Sequence, residues 1–166
     1  MRVRPEPLTP GPGQESVWTY PRPPRLERTE RHLKVVFAGE VIADTRSAFR
    51  VLETSHPPGF YLPLADVRAD ALEPTAKVTF CEFKGEAHYF TVTLGGRREA
   101  NAAWHYPDPS SGYEALRDHV AFYPGRMEEC YVDDELVRPQ PGGFYGGWIT
   151  SDLVGPFKGE RGTEWW

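Results

Sequence analysis

The sequence predicts an α+β fold that is mainly β: a curled antiparallel sheet, or a roll of short hairpins, with one short helix packed on it. From residue 33 onward, short apolar stretches alternate with turn residues, which is typical of strands. Close turns join several of these stretches, and such turns connect antiparallel neighbours because parallel strands need long crossovers. The predicted hairpins are 33–38 and 41–43 around Gly39-Glu40, 78–83 and 87–94 around Gly85-Glu86, and 129–132 and 136–138 around Asp133-Asp134.

The predicted helix covers about residues 112–121. Ser111 and Glu114 have the spacing of a capping box, in which two residues satisfy each other's backbone N–H groups. Pro124 prevents the helix from continuing. Three residues would share its apolar face, namely Tyr113, Leu116 and Val120.

The composition divides the chain into four parts. Residues 1–16 carry several Pro and Gly residues and no hydrophobic period, so a flexible leader is expected. Residues 17–32 form a proline-rich arm, which either lies over its own domain or acts as a proline motif for a partner. A β-rich core at 33–138 and a tail rich in Gly and aromatic residues at 139–166, packed on the core, complete the chain.

Charge and composition favour a cytoplasmic protein that binds neither nucleic acid nor membrane. The net charge of −5 and the pI near 5.6 argue against a nucleic-acid surface, which needs clustered Lys and Arg. No apolar run reaches the roughly 20 residues that span a bilayer, and residues 1–13 lack the apolar centre of a signal peptide. Cys81 and Cys130 are too few for a secreted disulfide framework, so reduced thiols are expected.

The first candidate site follows a predicted strand at residues 48–53. Strand side chains repeat every second residue, so Glu53 would share the inward face with Phe49 and Val51, and His56 lies on the bend beyond. A carboxylate that orients an imidazole and raises its proton affinity suits general acid–base catalysis by Glu53 and His56. In the alternative interpretation, Glu53 caps backbone N–H groups and His56 is a hydrogen-bonded loop residue.

The second candidate is the pair formed by Cys81 and Lys84. A nearby ammonium stabilises a thiolate, so Lys84 could activate Cys81 as a nucleophile. Regular alternation places the two side chains on opposite faces, which argues against the pair unless a bulge at Gly85 intervenes. The alternative is a buried, inert Cys81 and a Lys84 that extends its ammonium to solvent.

A third set of residues has the character of a pocket wall, because aromatic side chains with polar tips often line small-molecule sites. His88 shares a strand face with Phe90, and Trp104 shares one with Tyr106. The same residues could equally form plain core. The set comprises Tyr61, His88, Phe90, Trp104, Tyr106 and Tyr123.

No cofactor and no metal site are predicted. The His and Cys residues show neither C-x-x-C nor H-E-x-x-H spacing, and Asp108, Asp133 and Asp134 do not form a convincing carboxylate set. The glycine-rich segment 139–150 contains no phosphate-loop pattern. Its glycines and aromatic residues are interpreted as a lid or a dimer contact.

Several motifs, in a fixed order along the chain, are similar to those of a known family. They are Ile42-Ala43-Asp44-Thr45, Leu52-Glu53-Thr54-Ser55-His56-Pro57-Pro58, Tyr61-Leu62-Pro63, Asp66-Val67, Cys81-Glu82-Phe83-Lys84-Gly85, Ala87-His88-Tyr89-Phe90, Ala103-Trp104-His105-Tyr106-Pro107 and Val120-Ala121-Phe122-Tyr123. Together they closely resemble the bacterial domain-of-unknown-function family DUF427, over about residues 33–132.

The resemblance implies a compact β-rich fold of unassigned activity. Its motif positions carry over as pocket candidates, namely Glu53, His56, Tyr61, Cys81, Lys84, Gly85, Tyr89, Trp104, Tyr106 and Tyr123. The family is sometimes labelled nucleotidyltransferase-like. The sequence gives that label no support, because it lacks a Gly-Ser or Gly-Gly helix start followed by an Asp-x-Asp metal pair.

Two functional hypotheses follow. The leading one is a domain that binds an unknown small molecule, with acid–base chemistry at Glu53 and His56. The other is a non-catalytic interaction module that acts through the arm and the tail, in a homodimer.

Overall fold

The computed structural model describes residues 4–166, so residues 1–3 of the expected leader lie outside the described part of the chain. Its strands are β1 Glu15–Ser16, β2 Arg25–Thr29, β3 Leu33–Phe37, β4 Glu40–Thr45, β5 Ala48–Leu52, β6 Gly59–Pro63, β7 Leu72–Cys81, β8 Gly85–Leu94, β9 Arg97–His105, β10 His119–Phe122, β11 Glu129–Val132, β12 Glu135–Leu136, β13 Arg138–Pro139, β14 Trp148–Ile149 and β15 Leu153–Val154. Short 3-10 turns occupy Val17–Thr19, Leu64–Asp66, Ala69–Ala71, Glu114–Leu116 and Pro124–Arg126.

The strands form two large antiparallel sheets. The order in the seven-stranded sheet is β2-β5-β6-β10-β9-β8-β7, and in the four-stranded sheet it is β12-β11-β3-β4. Two small pairs, parallel β1–β15 and antiparallel β13–β14, involve segments near the two ends of the chain. The expectation of a mainly β fold built from antiparallel hairpins is confirmed.

The main hydrophobic core lies between the two large sheets. Leu33 and Phe37 of the four-stranded sheet enter it from one side, and Phe60 and Leu62 of β6 enter it from the other. Tyr61, between the last two, points the opposite way because strand side chains alternate. The seven-stranded sheet therefore has an inner face against this core and an outer face that carries a second, aromatic cluster.

The expected helix at 112–121 is wrong. Only Glu114–Leu116 forms a single 3-10 turn, and the Glu114 carboxylate accepts the backbone N–H of Gly112 at 3.0 Å instead of completing a capping box. Asp118, at φ 62°, then turns the chain out of any right-handed helix. Val120 follows in β10, which pairs with β6 and β9 in the middle of the sheet. This burial outweighs the weak local preference for a helix.

The arm and the tail pack on the seven-stranded sheet and on each other. Strand β2, within the arm, pairs with β5 over its whole length. The Trp18 indole donates to the carbonyl oxygen of Pro156 at 2.8 Å. In the tail, Trp148 is fully buried in the main core, and its indole donates to the carbonyl oxygen of Phe122 at 3.1 Å.

Candidate functional site

The outer face of the seven-stranded sheet carries a wall of aromatic side chains. The Trp104 indole donates to the Tyr61 hydroxyl at 3.3 Å, and the Tyr61 and Tyr106 rings lie 6.1 Å apart. Tyr123 packs on the other side of Trp104, with ring centroids 4.6 Å apart. Tyr89 shares this face, because it is the register partner of Trp104. We call these five residues the aromatic wall.

Three hydroxyl groups of the wall, those of Tyr61, Tyr106 and Tyr123, remain protonated at neutral pH. Burial is the largest cause that raises the pKa values of these residues above the ordinary value for tyrosine. These three residues therefore present neutral O–H groups rather than negative charges.

Glu53 lies just after β5 and faces several positive groups. Its carboxylate Oε2 is 3.3 Å from Arg22 Nη2 and 3.5 Å from His56 Nε2, and the side chain is 24% exposed. Burial opposes ionisation, but the nearby His56 ring and the charges of Lys84 and Arg22 outweigh it and lower the pKa of Glu53 below its usual value. Glu53 is therefore a carboxylate at neutral pH.

The His56 ring is oriented by Gln140, a residue of the tail. The Gln140 oxygen accepts the Gly147 N–H at 3.0 Å, and its amide nitrogen donates to the carbonyl oxygen of Lys158 at 2.8 Å. That nitrogen also lies 3.1 Å from His56 Nδ1, so Nδ1 must accept and Nε2 must carry the proton that faces Glu53. Both nitrogens of the imidazole are thus engaged.

The bend that carries His56 is held by both the arm and the tail. Ser55 has φ 73°, a sparsely populated backbone region for a residue with a side chain. Its N–H donates to the carbonyl oxygen of Val17 at 3.1 Å, and its own carbonyl accepts the Lys158 N–H at 2.9 Å. These bonds from two distant segments stabilise the strained conformation.

Lys84 reaches the same site from the turn between β7 and β8. That turn occupies residues 82–84, and not Gly85-Glu86 as expected, because β8 already begins at Gly85. The strand alternation that was expected to separate Lys84 from Cys81 does not apply in a turn, and Cys81 is near enough to contribute to the raised pKa of Lys84. Its Nζ also lies 5.8 Å from the Tyr106 ring centroid.

Lys84 is a cation at neutral pH although it is only 8% exposed. Burial favours the neutral amine, but interactions with Tyr61, Cys81 and Glu53 outweigh this and raise the pKa of Lys84. Of these three groups, Glu53 supplies the negative charge at neutral pH, since the hydroxyl of Tyr61 is protonated.

Two members of the expected wall lie elsewhere. His88 and Phe90 are on the inner face of β8, opposite to Tyr89, so the structure does not bring His88 to Trp104. His88 is partly exposed, with Nε2 2.7 Å from Glu86 Oε1. Phe90 stacks on His105 at 4.6 Å. Alternation within one strand was correct, but it could not tell which face each neighbouring strand directs to the site.

The tail covers the aromatic wall and His56. The Tyr145 ring meets the His56 ring edge-on at 4.6 Å, and the Tyr123 hydroxyl donates to the carbonyl oxygen of Phe144 at 3.3 Å. Gly146 approaches Trp104 so closely that a Cβ atom there would lie 2.3 Å from Cη2 of the indole. We call residues 140–147 the tail cover.

Two residues of the site, Arg22 and Lys158, were not anticipated from the sequence, whereas Gln140 and Tyr145 lie in the segment 139–150 that was interpreted as a lid or a dimer contact. Lys158 is 9% exposed, and its Nζ lies 5.5 Å from the Tyr145 ring centroid. Burial and the charge of Arg22 lower the pKa of Lys158. The close pair Gly146-Gly147 between aromatic residues was the available signal that the tail approaches another surface.

A separate cleft of about 520 Å³ is lined by residues 13–15, residues 27–31, Arg50 and Asp152. Two ion pairs lie in it, since Arg50 contacts Glu15 at 2.6 Å and Arg31 contacts Asp152 at 2.8 Å. Within residues 4–166, no group of three or more His, Cys, Asp or Glu side chains is placed to hold a metal ion. No helix in the same range is long and apolar enough to cross a membrane.

The fold and the site define a two-sheet β domain with a charged, aromatic face beneath a cover formed by its own tail. Residues 25–133, more than half of the chain, match the family described as Domain of unknown function (DUF427), and the chain belongs to this family. The resemblance inferred from the sequence motifs is therefore confirmed. No match to the chain was found among curated proteins.

Proposed function

We propose that the outer face of the seven-stranded sheet, beneath the tail cover, binds a small molecule. One observation carries this proposal: charged side chains from four separate parts of the chain meet around Glu53, and one of them, Lys84, lies against Tyr106 of the aromatic wall. They are Arg22, Glu53, Lys84 and Lys158. Small-molecule sites combine apolar walls with a few convergent polar groups in this way, whereas charges without such a role are usually dispersed in solvent.

Acid–base chemistry at Glu53 and His56 is the catalytic form of this proposal. A general base needs a free imidazole nitrogen, but Gln140 donates to Nδ1 and Nε2 faces Glu53. Displacement of the tail cover would remove Gln140 and free Nδ1, while Glu53 would still hold the Nε2 proton. Glu53 itself would orient the ring and would not act as the acid, because it is already ionised.

The alternative, an interaction module that uses the arm and the tail, has less support from the contacts of these segments. Strand β2 of the arm is paired with β5, the Tyr113 hydroxyl donates to the carbonyl oxygen of Pro24 at 2.6 Å, and Gly146 packs on Trp104. The surfaces that would face a partner are thus engaged within the chain. Phe144, which is 75% exposed, remains an available contact for a homodimer.

The test is a fragment screen followed by NMR on protein labelled with ¹⁵N. We expect fragments that bind to shift the Trp104 indole N–H signal, and Trp104→Phe to weaken their binding. Trp18→Phe is the matched control, because Trp18 lies against Pro156 and not on the wall. Fragments that shift only signals outside the site, or that bind both variants equally, would refute the proposal.

A further inference from the structure

We infer that the ligand of this site is a small anion with a planar apolar body, of the class of aromatic carboxylates and aryl phosphates. This inference rests on the proposed binding function and specifies its ligand class. Three features carry it: a surplus of positive charge, a buried ammonium without a close counterion, and hydroxyl donors set in an aromatic wall.

The buried part of the site is positively charged, although the protein as a whole carries a net charge of −5. The positive charges of Arg22 and Lys84 lower the pKa of Glu53, and the negative charge of Glu53 favours the protonated form of Lys158. Glu164 also acts on Lys158, but this carboxylate is exposed and accepts the backbone N–H of Gly162 at 2.9 Å. Arg22 and Lys84 thus share one partly buried carboxylate, whereas Lys158 also donates to an oxygen of Trp166 at 3.4 Å.

Lys84 lacks the close counterion that a buried charge usually has. Among residues 4–166, no carboxylate oxygen lies within 4.0 Å of its Nζ, since the close partners of Glu53 are Arg22 and His56. Buried charges are costly unless they are paired, and most buried ammonium groups are. An anionic ligand would therefore supply the counterion that Lys84 lacks.

The neighbours of Lys84 suit the rest of such a ligand. Tyr61 and Tyr106 keep their protons, so their hydroxyl groups can donate to an anion and do not repel it. The Trp104 and Tyr61 rings, 6.3 Å apart and perpendicular, would form the apolar side of the site for a planar body. Charge, donors and apolar surface thus lie on one side of the sheet.

The first experiment is a charge series of nearly identical shape on the wild-type protein: benzoate, benzamide and benzamidinium, with phenyl phosphate as a second anion. Binding is measured by the shift of the Trp104 indole signal, and affinities near the millimolar range are expected for probes of this size. We expect benzoate or phenyl phosphate to bind about tenfold or more tightly than benzamide, because charge-assisted hydrogen bonds are the stronger ones. Tighter binding of benzoate would indicate a carboxylate site, and tighter binding of phenyl phosphate would indicate a phosphate site.

The second experiment compares Lys84→Met with Lys77→Met. Lys77 is the matched control, because it belongs to the same hairpin and its Nζ lies 4.6 Å from the Tyr89 ring centroid, but it is exposed. We expect Lys84→Met to abolish the preference for anions and Lys77→Met to change it less than about twofold. The charge series remains decisive if Lys84→Met fails to fold.

The outcomes separate the ligand class from the binding function. If benzamide and benzamidinium bind at the site as tightly as benzoate, the anion class is wrong and the binding site stands. If Lys77→Met weakens the anions as much as Lys84→Met does, the assignment to Lys84 is wrong. If fragments of other chemistry bind at Trp104 but neither anion does, the anion class is wrong and the proposed binding function stands. If no fragment shifts the Trp104 signal, both the anion class and the proposed binding function are wrong.

Discussion

Replacement of Gly146 by alanine should lift the tail cover from the aromatic wall. The added Cβ would lie 2.3 Å from Cη2 and 2.8 Å from Cζ3 of Trp104, and Cβ contacts under 3.0 Å are essentially never seen in proteins. The ring cannot easily retreat, because the Trp104 indole is bonded to Tyr61 on one side and Tyr123 packs on the other. The cover is the part that can move, so we expect it to detach locally.

The expected cost follows from this overlap. Overpacking of a rigid site costs about 1–3 kcal/mol. Gly59→Ala is the control, since its Cβ would meet only the Tyr61 ring at an ordinary 3.5 Å, and a compatible Gly→Ala change is stabilising by about 0.4–1 kcal/mol. Gly146→Ala should therefore melt below Gly59→Ala, by about 2–4 °C for each kcal/mol in a domain of this size.

Calorimetry and amide hydrogen exchange together test this prediction. We expect a lower Tm and faster exchange in residues 143–147, while the amides of β14 stay protected because Trp148 is anchored in the core. A Gly146→Ala protein that matches Gly59→Ala in stability, with unchanged exchange in the cover, would refute the packing described for this segment.

Two further predictions concern the groups around His56. The pKa of Glu53 is lowered in the folded state, so its contribution to stability is present above the unfolded pKa of about 4.3 and is lost as the pH falls through the folded value. The Tm difference between wild type and Glu53→Gln should therefore shrink on acidification. The control Glu86→Gln, at an exposed carboxylate, should give a smaller Tm difference at neutral pH. Equal pH profiles for the two variants would contradict this. The second prediction is that the neutral His56 ring carries its proton on Nε2, which the ¹⁵N chemical shifts of the ring would show. Gln140→Ala should change those shifts because it removes the donor to Nδ1. A wild-type ring protonated on Nδ1 would show that the bond to Gln140 is assigned the wrong way.

The sequence was a good guide to local structure where two signals agreed. The hairpins β3–β4 and β11–β12 combine apolar strands with turn residues, and both formed as expected. The helix at 112–121 rested on a capping pattern, a short apolar face and the proline that would end it, all of which are local signals. These signals did not reveal that residues 119–122 pair with both β6 and β9 as strand β10, and this long-range pairing decides the conformation of the segment.

The candidate site shows the same limit: the sequence predicted relations within one segment better than contacts between distant segments. Alternation correctly grouped Phe49 with Val51, and Glu53 lies at the end of the same strand beside His56. His88 and Phe90 were grouped with Trp104 although they lie on the opposite face, because periodicity gives the relation between side chains within a strand and not between strands. Gln140 could not be assigned to His56 at all, since the two are 84 residues apart in the sequence and meet only through tertiary packing.

The boundaries of the family match divide the site into two functional parts. The matched residues 25–133 contain the aromatic wall together with Glu53, His56 and Lys84, whereas Arg22, Gln140 and Lys158 lie outside them. Thus the wall and the buried ammonium come from the common domain, while the group that orients His56 comes from the segments around it. These segments cannot simply be deleted to test this division, because Trp148 fills the main core. Point changes such as Gly146→Ala, which are expected to move the cover and leave the core intact, are therefore the way to separate the proposed ligand binding by the wall from the orientation of His56 by the tail.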